Sequence, residues 1–179
     1  MNSRIRELTL IALFPAMMGA TAGVVIPLGG LPPITLQTIF VFMAGLILGP
    51  KDAGISIGIY VLLGAIGLPI FSGYRGGIGV LLSGSGGFIV SFVFASVFVG
   101  FMKNVKIINN EFVNIFVILF GTTLLIYMIG GAYISYLSSA SYPLVLGGFY
   151  TYLIGDILKI VVVIIVYMRV RSHVTYERS

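Results

Sequence analysis

The stretch Tyr150–Tyr167, YTYLIGDILKIVVVIIVY, is apolar along nearly all of its length, yet it carries an acid and a base, Asp156 and Lys159, three residues apart. That spacing puts both on one face of a helix. Tyr152 lies one turn before Asp156, and Phe149 a further turn away on the same side. At the centre of a membrane span each such charge costs about 2.5–3.5 kcal/mol, so the pair must face a bundle interior or a wet cavity. Three readings are open on these residues alone: an ion pair that locks helices together, a proton relay, and a polar ligand site. In the last, Asp156 accepts from N–H groups and Lys159 donates to a carbonyl or carboxylate. Buried ion pairs stabilise poorly compared with apolar replacements, which weighs against the first.

The rest of the chain explains why such a stretch exists. Of 179 residues, 59% are hydrophobic and 8% charged, against about 25% charged in soluble domains. The chain therefore reads as an all-α integral membrane protein, a single transmembrane domain over 1–179. A span takes about 20 apolar residues, which leaves no room for a soluble catalytic domain. A β-barrel would alternate in segments of about 10 residues, and these runs are longer and do not alternate. The 24 glycines suit closely packed helices. There is no cysteine, and one histidine, His173, sits in the polar C-terminal tail. Thiolate, redox and histidine-based metal sites are therefore not expected, nor is a cofactor or an enzymatic activity.

Six apolar segments are expected, at 8–27, 36–49, 53–69, 84–102, 112–135 and 145–168. The first, LTLIALFPAMMGATA after Arg4 and Arg6, resembles a signal peptide with Ala20 and Ala22 as a cleavage site. Its apolar run continues to Ile26, which favours an uncleaved span. The second segment is short, and the preceding PLGGLPPITLQ (27–37) reads as a partly buried loop or broken helix, tolerated at membrane depth where it is buried or lines a cavity. With the N-terminus inside, Arg4, Arg6, Lys51, Lys103, Lys106, Arg169, Arg171 and Arg178 fall in inner connections and Arg75 alone in outer ones. Positive charge stays cytoplasmic. A six-transmembrane-helix bundle with both termini cytoplasmic follows, in the cell membrane. Three unusual connections, 27–35, 70–83 and 138–148, then share the extracellular face, where a substrate site is expected.

Arg75, in GYRGGIG, is either a solvated loop cation or an anion clamp, for which arginine is suited. Neither a dinucleotide fingerprint nor a Walker A motif occurs, so ATP-driven work would belong to another polypeptide. A Ser–Lys hydrolase built from Ser83 or Ser85 with Lys159 lacks any visible oxyanion motif. Ala12, Ala16 and Ala20 form a small-residue stripe that allows close helix contact, either inside the bundle or with a partner.

These residues resemble a known family. IPLGGLPPITLQTIFVFMAGLILGPKDA (26–53), YVLLGAIGLPIFSGYRGGIGVLLSGSGGFIVSF (60–92) and GDILK (155–159) are similar to the BioY family, biotin-binding S-components of energy-coupling factor (ECF) transporters. The resemblance implies high-affinity biotin binding and uptake, with a transmembrane coupling protein and two ATPase subunits as partners, besides the lipid bilayer. No nucleic-acid partner is implied. It implies ligand contacts from Asp156 and Lys159, and a coupling-protein contact through Ala12 and Ala16. Gln37, from the proline-loop block, Phe71 and Tyr152 join the expected substrate-binding set. Relatives often carry a GPTGGY or an arginine-containing version where GSGGF (84–88) stands here, which leaves the ligand carboxylate to Arg75, Ser83, Ser85 or loop amides. The alternative reading is a proton-coupled secondary transporter of a small carboxylate or vitamin, using the Asp–Lys pair.

Overall fold

The computed structural model describes residues 3–28 and 31–174. Gly29 and Gly30 of the proline loop, and the tail from 175 with Arg178, lie outside the described residues. The elements in chain order are α1 (Ser3–Ala20), β1 (Val25–Leu28), β2 (Leu31–Thr35), α2 (Gln37–Leu48), α3 (Pro50–Ala65), α4 (Ile78–Leu81), α5 (Gly86–Met102), α6 (Glu111–Ser138), α7 (Tyr142–Gly147) and α8 (Tyr150–Val174). Six longer helices form the bundle, and α5 is central, packing on α2, α3 and α6. The architecture is mostly helical but not wholly so. The expected loop or broken helix before α2 is instead an antiparallel hairpin, pairing Val25 with Thr35 and Ile26 with Ile34.

Local chemistry sets several boundaries. Gly49, at φ 80°, turns the chain sharply out of α2, and Pro50 opens α3 in a position that needs no backbone N–H. The third segment therefore starts three residues earlier than hydropathy suggests. Asn110 caps α6 by accepting from the Val113 N–H. α8 continues through Arg169 and Arg171 to Val174, because helicity does not stop where apolarity does. The first part of the polar tail, with His173, is therefore helical. Ser141 precedes a separate short helix, α7, and Gly147–Gly148 interrupts what read as one segment from 145.

Two packing features matter below. Pro15 lies inside α1 and brings no N–H to the carbonyl of Ile11 one turn earlier. The fully buried Ser56 of α3 donates to that carbonyl at 2.7 Å, so the missing helical bond becomes a tie between helices. Where α2 crosses α5, a Cβ at Gly45 would lie 2.7 Å from the Ser96 carbonyl, so only glycine permits this approach. α6, with 28 residues, is long and apolar enough to cross a membrane, while the apolar α2 and α5 have 12 and 17 residues.

Candidate functional site

The three irregular connections meet at one end of the bundle. The Gly73 N–H donates to the Ala22 carbonyl at 2.7 Å, tying the 66–77 loop to the end of α1. Tyr133 of α6 donates to Leu81 of α4 at 2.9 Å, and the Tyr152 hydroxyl donates to the Pro32 carbonyl of β2. Beneath them lies a cavity lined by β2 and α2, the turn at 72–75, α4, α5, α6 and α8. β2 forms one side of it.

Asp156 and Lys159 face into this cavity, as their spacing predicts. Lys159 Nζ lies 2.8 Å from Asp156 Oδ1, and both side chains are 12% exposed. The second oxygen of Asp156 accepts from the hydroxyl of Tyr127 on α6. A lysine and a tyrosine thus bracket the carboxylate and fix its plane. Each oxygen keeps lone-pair capacity, and the ammonium keeps two N–H groups beyond the one given to Asp156. The site can therefore still take donors at the carboxylate and an acceptor at the ammonium.

An aromatic wall stands beside the pair. Phe149 is almost fully buried, with ring centroids 5.3 Å from Tyr127, 5.5 Å from Phe88 and 5.7 Å from Tyr152. Such tilted and edge-on contacts hold flat faces at fixed angles. Tyr127 is the residue that sequence reasoning missed. It sits in LLIYMIGG within α6, the longest of the described helices, 29 positions from its partner, and a hydroxyl in that Leu/Ile run was its only sign.

The other expected residues divide. Gln37, Arg75, Ser85 and Tyr152 line the cavity with Asp156 and Lys159. Gln37 is committed to the protein: its Nε2 donates to the Tyr60 hydroxyl at 2.5 Å, and that hydroxyl donates to the Ile70 carbonyl at 3.1 Å. Ser83 lies outside the main cavity, in an adjoining vestibule shared with Arg75, Ser85 and the two prolines of β2, and its hydroxyl donates to Val80. Phe71 is not brought to the cavity. It is fully buried and packs edge-on against Tyr60, with centroids 5.4 Å apart. Its large ring anchors the turn that carries Arg75. Ala12, Ala16 and Ala20 are exposed, along a shallow apolar groove shared with Ile59 and Leu63 of α3. The stripe is not used for packing within the bundle.

The chain matches the model of the BioY family over residues 1–176. It is 34% identical over 169 residues to the probable biotin transporter BioY of Pyrococcus horikoshii, covering 94% of this chain and 98% of that one. It is 30% identical to the biotin transporter BioY of Lactococcus lactis, covering 98% and 96%. The fold superposes on the crystal structure of an S-component for biotin from an ECF-type ABC transporter with a TM-score of 0.88. That structure is 30% identical, over 96% of this chain and 94% of that one. From the matching model and these relatives, the chain belongs to the BioY family.

Proposed function

We propose that this protein binds biotin with high affinity and serves its uptake as the substrate-specific subunit of an ECF-type transporter. The observation that carries the reading is the buried Asp156–Lys159 pair, bracketed by Tyr127 and open to the cavity. The ureido ring of biotin presents two N–H donors and a carbonyl. Asp156 receives an N–H while Lys159 donates to the carbonyl, and the cavity-lining rings of Phe88, Tyr127 and Tyr152, backed by the buried Phe149, accommodate the thiophane ring. A pocket whose buried polar groups are paired only by the right ligand rejects analogues that lack those atoms by a large factor.

Within a membrane, α1, hairpin plus α2, α3, α5, α6 and α8 make six passes, and the whole chain 1–179 acts as one domain in the cell membrane. Lys51, Lys103, Lys106, Arg169 and Arg171 lie at or near the end opposite the cavity, which supports cytoplasmic termini and an extracellular mouth. The protein is not itself the ATPase. A transmembrane coupling protein docks on the exposed Ala12–Ala16 face and two ATPase subunits supply the energy.

Native mass spectrometry and titration calorimetry of the purified protein test capture: a bound species of biotin's mass supports it, and no measurable binding sinks it. The double variant Ala12→Trp, Ala16→Trp tests docking. Because both positions are exposed, biotin binding should stay unchanged while co-purification with the coupling protein is lost. A variant that keeps its partner and still transports removes the docking role.

A further inference from the structure

Among the described residues, two buried side-chain oxygens have no hydrogen-bond partner, Thr38 Oγ1 and Ser72 Oγ, and both residues line the central cavity. The contrast with other buried hydroxyls is informative. Ser56, Ser91, Ser96, Thr122 and Thr123 all donate to backbone carbonyls. An orphaned buried hydroxyl is costly, so a position that keeps one facing a cavity has a use for it.

Ser72 is the sharper case. It is 8% exposed and sits on a five-residue turn closed by paired hydrogen bonds between Phe71 and Arg75, at 2.9 and 3.2 Å. The turn is fixed from three sides: Phe71 is packed against Tyr60, Gly73 is bonded to Ala22, and the Arg75 side chain folds back so that its Nε donates to the Ser72 carbonyl at 3.0 Å. The terminal guanidinium nitrogens are then held on the same turn as the free hydroxyl, and both residues line the cavity. A hydroxyl donor beside a guanidinium is a receptor for an anionic oxygen group, and its rigid turn lowers the ordering cost of binding.

We infer that Ser72 is a specificity-determining residue whose hydroxyl, together with Arg75, receives the carboxylate of the ligand. This rests on the biotin reading above and assigns the group that reads the acid end. Asp156 and Lys159 read the ring, and the Ser72–Arg75 turn reads the charge.

The test compares biotin with its uncharged primary amide on the native protein, Ser72→Ala and Arg75→Ala by titration calorimetry. Loss of a hydrogen bond to a charged group should weaken biotin about tenfold or more in Ser72→Ala. The amide should lose much less, which also verifies that the variant is folded. Arg75→Ala should show the same acid-selective loss. Unchanged biotin affinity in Ser72→Ala would mean that the hydroxyl meets ordered water only, and equal losses for acid and amide would place it elsewhere on the ligand. Either result overturns the assignment while leaving biotin binding intact. If the native protein binds neither compound, the biotin reading itself fails and this one with it.

Discussion

The two ends of the bundle solve opposite problems. At the closed end, polar groups are satisfied locally. Asn114 accepts from the Ile107 and Ile108 N–H groups at 2.8 and 3.0 Å and donates to the Val105 carbonyl at 2.8 Å, so one side chain ties down the 104–110 connection. Arg171 of α8 pairs with Glu111 of α6, and Lys103 reaches the Leu46 carbonyl at 3.4 Å. At the mouth, Thr38 and Ser72 are unpartnered, and Asp156 and Lys159 have bonding capacity to spare. Polar groups at the closed end hold chain to chain. Those at the mouth are held by the chain but kept for something else.

The largest expected effect falls on the ion pair. Asp156→Asn and Lys159→Ala should each weaken biotin by about 100-fold or more, since removing one partner of a buried pair costs about 3–5 kcal/mol. Calorimetry on both variants decides it, and near-native affinity in both would make the mouth a lock like the closed end. Tyr127→Phe should have a smaller effect, about tenfold, because the carboxylate loses one of the two groups that orient it while the ring still packs on Phe149. Affinity at the native level would confine the tyrosine to packing. Asn114→Ala should leave biotin affinity untouched and lower the thermal midpoint by several degrees, as three backbone groups lose their partner. A fall in affinity there would break the division between the ends.

This division also explains what could be read from the chain alone. Asp156 and Lys159 were legible because charge in an apolar helix is expensive, and that cost shows at single residues. Tyr127 was not, because a tyrosine among Leu and Ile costs little and its meaning depends on α8. The proline-rich 27–37 stretch read as irregular because proline is rare inside sheets. A two-stranded ribbon has no central strand, however, so Pro32 and Pro33 fit in β2. Phe71 showed the right neighbourhood with the wrong orientation: its place beside Arg75 is visible in the sequence, but whether a ring faces a cavity or anchors a turn is settled by Tyr60, eleven residues earlier. Ala12 and Ala16 left the choice between an internal and an external face open, and burial decided for the external one.

The bonding of Lys159 to Asp156 has an electrical consequence. A membrane potential does work of about 2.3 kcal/mol per 100 mV on each elementary charge moved across the bilayer. As an ion pair, the two side chains sum to zero and travel together on one helix. Any displacement of α8 along the membrane normal therefore moves no net charge from this pair, and the voltage does no net work on it. Besides that pair, the charges in the cavity would be Arg75, which lines it, and a monoanionic ligand, and where those two meet they also sum to zero.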